Sequence, residues 1–170
     1  LPLYVLDETP SIRAPGAASL WWLDKSLKAL SRNLEGLGTR LILRRGMAGE
    51  IMLRLARETG AAGVYWNRLY DPHQTDRDAA LKTELKGLGL TVETFNAGLL
   101  VEPWTVRNKT GVPFQVFTPF WRAAREQLTE VGFAPAPQRL AAYAPALASD
   151  HLEHWGLHPT KPDWSGGFSD

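Results

Sequence analysis

The chain contains no cysteine. That excludes disulfide staples, thiolate zinc sites and thiol nucleophiles, and it fits a reducing compartment such as the cytoplasm. There is no excess of charge of either sign, 19 basic against 18 acidic residues, net +1. A dedicated binder of phosphate backbones would carry a basic excess. No apolar run approaches the roughly 20 residues of a membrane span, so no membrane partner is expected, and no signal peptide is visible. Gly-x-Gly-x-x-Gly after a strand and Gly-x-x-x-x-Gly-Lys-Ser/Thr are both missing, which removes the common phosphate cradles. Serine catalysis lacks its nucleophile elbow. No carboxylate pair stands out for acid–base work, because Asp71, Asp76 and Asp78 lie where a helix start attracts acids anyway.

What is present is enough chain for one domain. At 170 residues a fold buries roughly 70% of its unfolded surface, so no staples are needed. Seven tryptophans is a high count for this length. The first residues, "LPLYVLDE", start directly as an apolar strand, and the last, "PTKPDWSGGFSD", read as a linker. The chain is therefore expected to be cut from something longer.

Strands are expected at Leu1–Leu6, Leu41–Leu43, Gly63–Asn67 and Leu90–Phe95, each a short apolar run bounded by turn residues. Between them lie helical patterns. Leu20, Leu23, Leu27, Leu30 and Leu34 mark one stripe of a helix from Ala17 to Leu34. Met47–Thr59 and Asp76–Lys86 give two more, each stopped by glycine. The joints "LEGLGTRLIL" and "LKGLGLTVET" repeat one pattern of helix end, glycine pair and strand. A fourth helix is expected to start at Thr118 as N-cap with Pro119 at its first position. Residues 132–148, rich in alanine and proline, have a linker's composition.

Strands alternating with helices imply a doubly wound α/β fold with a parallel sheet and helices on both faces. Ligands of such sheets bind beyond the carboxyl ends of the strands. Those ends are Asp7 onward, Arg44-Arg45-Gly46, Asn67 onward and Asn96 onward. The richest is "GVYWNRLYDPHQTDRDAAL". There Asn67 ends a buried strand, Tyr70 can stack on a planar ring, and Asp71 and His73 can hydrogen-bond it. The alternative is a solvated turn in which Asp76 caps the helix and Arg77 and Asp78 pair locally. Arg44-Arg45 can grip an anion or form a solvated edge. His151, His154 and His158, with Glu153, would share one side of a helix and could hold zinc, but Gly156 and Pro159 interrupt that helix, and no metal site is assigned.

Five stretches, in order, resemble the N-terminal α/β domain of the DNA photolyase/cryptochrome family. "LPLYVLD" looks like the family's second strand. "WWLDKSLKALSRNLEGLGTRLILRRG" resembles its Trp/Phe-Leu-x-x-Ser-Leu-x-x-Leu helix and the Leu-x-x-x-Gly after it. "VYWNRLYDPHQTDRD" is similar to Asn-x-x-Tyr-Asp/Glu-Pro…Arg-Asp. "KTGVPFQVFTPFWRA" resembles the Gly-x-Pro-(Phe/Tyr)-x-Val-Phe-Thr-Pro-Phe block, the most specific of the five. "LEHWGLHPTKPDWSGGF" is similar to the interdomain linker.

The resemblance implies a light-driven repair protein for pyrimidine dimers, a deoxyribodipyrimidine photolyase, or a cryptochrome-type blue-light receptor. The FAD and the DNA-lesion pocket would belong to a C-terminal helical domain, so this stretch alone is expected not to repair DNA. Residues 1–131 would form the antenna domain and 132–170 the linker to the helical one. The α/β domain in many members holds an antenna chromophore: methenyltetrahydrofolate, 8-hydroxy-deazaflavin or FMN. Folate-type members carry a His after the second strand and Asn-Glu after Tyr-Glu-x; the counterparts here are Arg13, then His73 and Gln74. Deazaflavin-type members use an Arg where Ser19 stands, and an acid matched by Asp71. Neither set is complete, which leaves the chromophore open, with Asp7, Asn67 and Tyr70 completing the expected rim.

The family's opening strand, Trp-Phe-Arg-Arg-Asp-Leu-Arg, has no counterpart. It lies mid-sheet, so the strands here are expected to form two pairs flanking a gap, and the isolated chain to be unstable. Two other classes stay open. One is a stand-alone nucleotide-binding module of the universal-stress or electron-transfer-flavoprotein kind; the other is an interaction domain whose polar edge docks a partner.

Overall fold

The computed structural model describes residues 1–128 and 134–168. Four strands alternate with helices: β1 (Leu3–Asp7), α1 (Ala17–Gly36), β2 (Ile42–Gly46), α2 (Ala48–Thr59), β3 (Gly63–Asn67), α3 (Pro72–Gly87), β4 (Thr91–Phe95) and α4 (Phe117–Glu126). Among the described residues the strands form two parallel pairs, β1 with β2 and β3 with β4. Leu3 lies opposite Ile42 and Asp7 opposite Gly46; Gly63 lies opposite Thr91 and Asn67 opposite Phe95. Among the described residues no ladder joins β1 to β3, so the two pairs flank a gap, as expected.

Each pair has its own core. Leu41 and Leu43 pack with Leu27 and Leu34 of α1, joined by Tyr4 and Leu6. Ile42, fully buried, falls between them in sequence. Side chains alternate across a strand, so it faces the opposite side, where α2 lies against β1 and β2. The second core joins Ala56 of α2, Leu81 and Leu85 of α3 and Val92 of β4. Thus α2 contributes to both halves; α1 and α2 cover the two faces of β1 and β2, while the face of β3 and β4 that carries Tyr65, Glu93 and Phe95 is exposed.

The repeated joints fold alike. Thr39 N donates to Leu34 O at 3.0 Å and Leu90 N to Leu85 O at 3.2 Å, with Gly38 and Gly89 at φ 89° and 83°. A left-handed residue closes a helix in this way, and only glycine adopts it freely. Two helix starts differ from expectation. The third helix begins at Pro72, four residues before Asp76, and Asp71 caps it by accepting from His73 N at 3.0 Å. The fourth begins at Phe117 after Val116; Pro119 still sits in the first turn, where a missing N–H has no helical partner to lose.

From Leu140 to Leu157 the chain lies against the first half instead of standing free, while residues 134–139 are exposed. Leu140 N donates to Leu37 O at 2.8 Å, Arg40 Nη2 to Leu147 O at 2.6 Å, and Asp150 N to Leu43 O at 2.9 Å. Leu43 N donates in turn to Ser149 Oγ at 3.0 Å. Leu152, Trp155 and Leu157 then enter the core beside α1. This strap occupies the edge of β2 that β1 leaves free. The domain boundary expected at 131/132 lies outside the described residues.

Candidate functional site

The carboxyl ends of β3 and β4 build the site. Beyond β3 the chain keeps pairing for one residue, Arg68 N donating to Phe95 O at 2.8 Å. That fixes the Arg68 side chain above the end of β4. Its Nε donates to Glu102 Oε1 at 2.9 Å and its Nη1 to Thr94 O at 2.6 Å. Hydrogen bonding to Glu102, helped by Tyr70, holds the Arg68 guanidinium charged, above its ordinary range. Tyr70 donates its hydroxyl toward Glu102 Oε2 at 3.0 Å and lies 3.2 Å from Asn96 Oδ1. The Tyr70 and Trp104 rings stand 6.2 Å apart at 36°, and the Arg68 guanidinium lies 5.9 Å from the Trp104 ring centre.

Arg68, Tyr70, Thr94 and Trp104 line one side of an open cavity of about 320 Å³, whose other side is formed by Trp66 and by Thr75, Asp78 and Lys82 of α3. That volume is in the range of small-molecule sites, and the mixture of ring faces with few polar groups is typical of them. A cavity of about 420 Å³ lies between Gly38, Arg40, Tyr143 and Leu147 under the strap. Although larger, it sits at the amino end of β2, away from the edge where sheets of this type hold ligands.

The family-level comparison agrees with this architecture. The description of DNA photolyase matches residues 1–141. The deoxyribodipyrimidine photo-lyase of Agrobacterium fabrum is 44% identical over 170 residues, 100% of this chain and 35% of that protein. The chain belongs to the DNA photolyase family. Cryptochrome-2 of Arabidopsis thaliana is 35% identical over 168 residues, 91% of this chain and 28% of that protein. The crystal structure of a bacterial class III photolyase from Agrobacterium tumefaciens superposes with a TM-score of 0.89 at 45% identity, covering 100% of this chain and 35% of that one. The chain thus spans about a third of the length of these photolyases. Among the described residues no helix is long and apolar enough to cross a membrane.

Of the residues singled out in the sequence, Tyr70 lines the cavity. Asn67 is exposed at the end of β3, and Asp71, His73 and Gln74 form the cap and first turn of α3 beside it. Asp7 ends β1, where its carboxylate accepts from Ala48 N and Thr9 N, each at 3.1 Å, and meets Arg77 of α3. Arg13 and Ser19 are exposed, in the loop after β1 and the first turn of α1. Arg44 donates to Ala148 O, and Arg45 pairs with Glu8 at 2.7 Å, so both arginines of the β2 end are engaged within the chain. The histidine stretch forms a short 3-10 turn at Leu152–Trp155, and His158 turns toward Asp163 at 3.5 Å. Glu102, Trp104, Lys82 and Thr94 were not singled out. The only signal toward two of them was the rule that directs attention to the residues after a strand end.

The cap makes a direct prediction. Asp71→Ala removes the acceptor for His73 N and is expected to cost about 1 kcal/mol, whereas Asp71→Asn, still a good cap, should cost much less. Urea unfolding of the two variants checks this; equal losses would show that the carboxylate charge, not the cap, carries the effect.

Proposed function

We propose that the chain is the antenna-binding α/β part of a deoxyribodipyrimidine photolyase, a protein that uses light to reverse pyrimidine dimers in DNA. The observation that carries this is the match across the whole chain to the Agrobacterium photolyase at 44% identity; cryptochrome-2 is similar over 91% of the chain at 35% and supports a blue-light receptor less strongly. In this reading residues 1–131 hold the antenna and 132–170 lead toward a C-terminal helical domain. That domain carries FAD and meets DNA, and the α/β part supplies no group to the repair step.

The antenna is a methenyltetrahydrofolate, an 8-hydroxy-deazaflavin or FMN, which absorbs light and passes the excitation to FAD. Its rim is formed by Asn67, Tyr70, Asp71, His73 and Gln74, with Asp7, Arg13 and Ser19 on the β1 side. Support comes from a ring-lined cavity at the ligand-bearing edge of the sheet, with Tyr70 in its wall.

The test is equilibrium dialysis of the purified chain against each chromophore and against ATP and AMP, read by near-UV and blue absorbance. Retention of one chromophore is expected, and so is its release by Asp71→Ala and Asp71→Asn alike. Binding of ATP or AMP with no chromophore retained would replace this reading with that of a stand-alone nucleotide module.

A further inference from the structure

Two histidines stand close together at the end of the strap, far along the chain from the cavity behind Tyr70. His154 N donates to His151 O at 3.0 Å, the i to i+3 bond of the 3-10 turn Leu152–Trp155, and Gly156 ends that turn at φ 62°. Side chains three apart eclipse in such a turn. Leu152 and Trp155 therefore share one side, and both are buried in the core with Leu27 and Leu43. His151 and His154 share another side, and both are exposed. Their ring centres lie 5.3 Å apart, with the planes tilted by 58°.

That separation is the one a shared metal ion requires. With zinc–nitrogen bonds of about 2.0–2.1 Å and each ring centre about 1.1 Å beyond its nitrogen, two imidazoles at the tetrahedral angle have centres about 5.2 Å apart. Residues 150–154, "DHLEH", include two carboxylates and no Lys or Arg, so the stretch itself carries no positive charge to repel a cation. Among the described residues no group of three His, Cys, Asp or Glu side chains could hold a metal. The pair is therefore a two-ligand site, with water left to fill the other positions.

We propose that His151 and His154 together chelate one divalent transition-metal ion of the zinc kind. The ion bridges the turn that sets Trp155 in the core. Asp150, next to His151, ties the strap to β2 through its N–H on Leu43 O, so the same ion secures the strap. A ligand that binds the folded turn and not the unfolded chain stabilises the fold. The site belongs to the first half of the fold, and it stands whatever the cavity in the second half holds.

The test is a titration of zinc chloride into the EDTA-treated chain, with magnesium chloride for comparison. Calorimetry gives the affinity, and NMR follows the ring signals of the four histidines. A single zinc ion is expected, shifting the signals of His151 and His154 but not those of His73 and His158. Magnesium prefers oxygen ligands and should shift none. His151→Gln and His154→Gln should each weaken zinc by about tenfold or more, because losing even a group behind a ligand costs that much. His158→Gln should leave the affinity unchanged. At about ten times its Kd, zinc should raise the Tm of wild type and His158→Gln by about 3–6 °C, and that of the other two variants far less.

A wild-type chain that takes up no zinc overturns the proposal. So does binding that both the His151 and His154 variants retain, or shifts confined to His73 or His158. An unchanged Tm with zinc bound would mean that the unfolded chain binds it equally, and that the turn does not build the site. Circular dichroism of the variants, matched to wild type, separates a lost ligand from a lost fold.

Discussion

Replacing Trp155 with alanine is expected to destabilise the protein by about 3–5 kcal/mol, the usual range for a large buried aromatic. For a chain of this size that corresponds to a fall in Tm of roughly 10 °C. Trp155 is 7% exposed, and its ring stands 6.2 Å from Tyr4. It packs with Leu27, Leu34, Leu41 and Leu43, and its Nε1 donates to Asp150 Oδ2 at 3.2 Å. That last bond matters because Asp150 N reaches back to Leu43 O. The indole therefore fills the core and also holds the strap in register against β2. Its loss should free the residues upstream, so protease cleavage between 134 and 148 should accelerate together with the fall in Tm. Trp22→Ala, at a position 66% exposed, serves as the control and should change stability by no more than about 0.5 kcal/mol. Equal Tm and equal cleavage in wild type and Trp155→Ala would mean that the strap does not dock in solution.

The strap is also where the sequence was hardest to read, and the reason is physical. Leu147, Leu152, Trp155 and Leu157 are all buried, yet their spacings of five, three and two follow neither a helical nor a strand period. The hydrogen bonds that dock the segment are made largely by backbone atoms, which leave no mark on composition. Alanine and proline around them are what a solvated linker also uses.

The four strands were legible because short apolar runs differ sharply from the polar turns between them, although one face of β3 and β4, with Tyr65, Glu93 and Phe95, is exposed. The helix stops were legible because positive φ selects glycine. The start of α3 was harder, since Asp71 and Asp76 are both good cap residues. Pro72 decides between them, because proline fits the first helical position and would break the helix any later.

The candidate site was half legible for the same kind of reason. Tyr70 follows a strand end directly. Lys82 meets Thr94 from the flank of a helix, and Glu102 meets Arg68 across 34 residues. Such pairings arise only when two βα units stand side by side, and no local pattern carries them.

Removing the carboxylate of Asp7 is expected to cost nearly as much as removing Trp155, for an electrostatic reason. Asp7 ends β1, in one half of the fold, and Arg77 belongs to α3, in the other. No strand pairing joins those halves among the described residues, so this ion pair is one of few polar ties between them. The Asp7 and Arg77 side chains are 16% and 15% exposed. Taking one partner from a mostly buried pair leaves the other charge poorly solvated, at a cost of about 3 kcal/mol. Arg77 keeps Asp78, which places Asp7→Asn toward the lower end of that range. Asp7→Ala should lose about 1 kcal/mol more, because Ala48 N at the start of α2 then has no acceptor.

The same residue sets a pH dependence. Burial alone would raise the Asp7 carboxyl, but hydrogen bonds from Thr9 and Ala48 and the charge of Arg77 outweigh it and hold it below the ordinary carboxylate range. A group whose folded value is depressed stabilises the fold fully above its unfolded value of about 4, and that contribution disappears as pH falls through the folded value. Wild type should therefore lose stability below about pH 4 more steeply than Asp7→Asn, so the gap between their melting temperatures narrows toward pH 3. Thermal melts at pH 7 and pH 3 of wild type, Asp7→Asn, Arg77→Gln and the double variant test this, because other carboxylates cancel in the differences. In the double variant the two losses should fall short of additive by about 1–3 kcal/mol at neutral pH. Parallel pH profiles with additive losses would mean that the halves are held together by α2 packing alone, and that the Asp7–Arg77 contact contributes nothing.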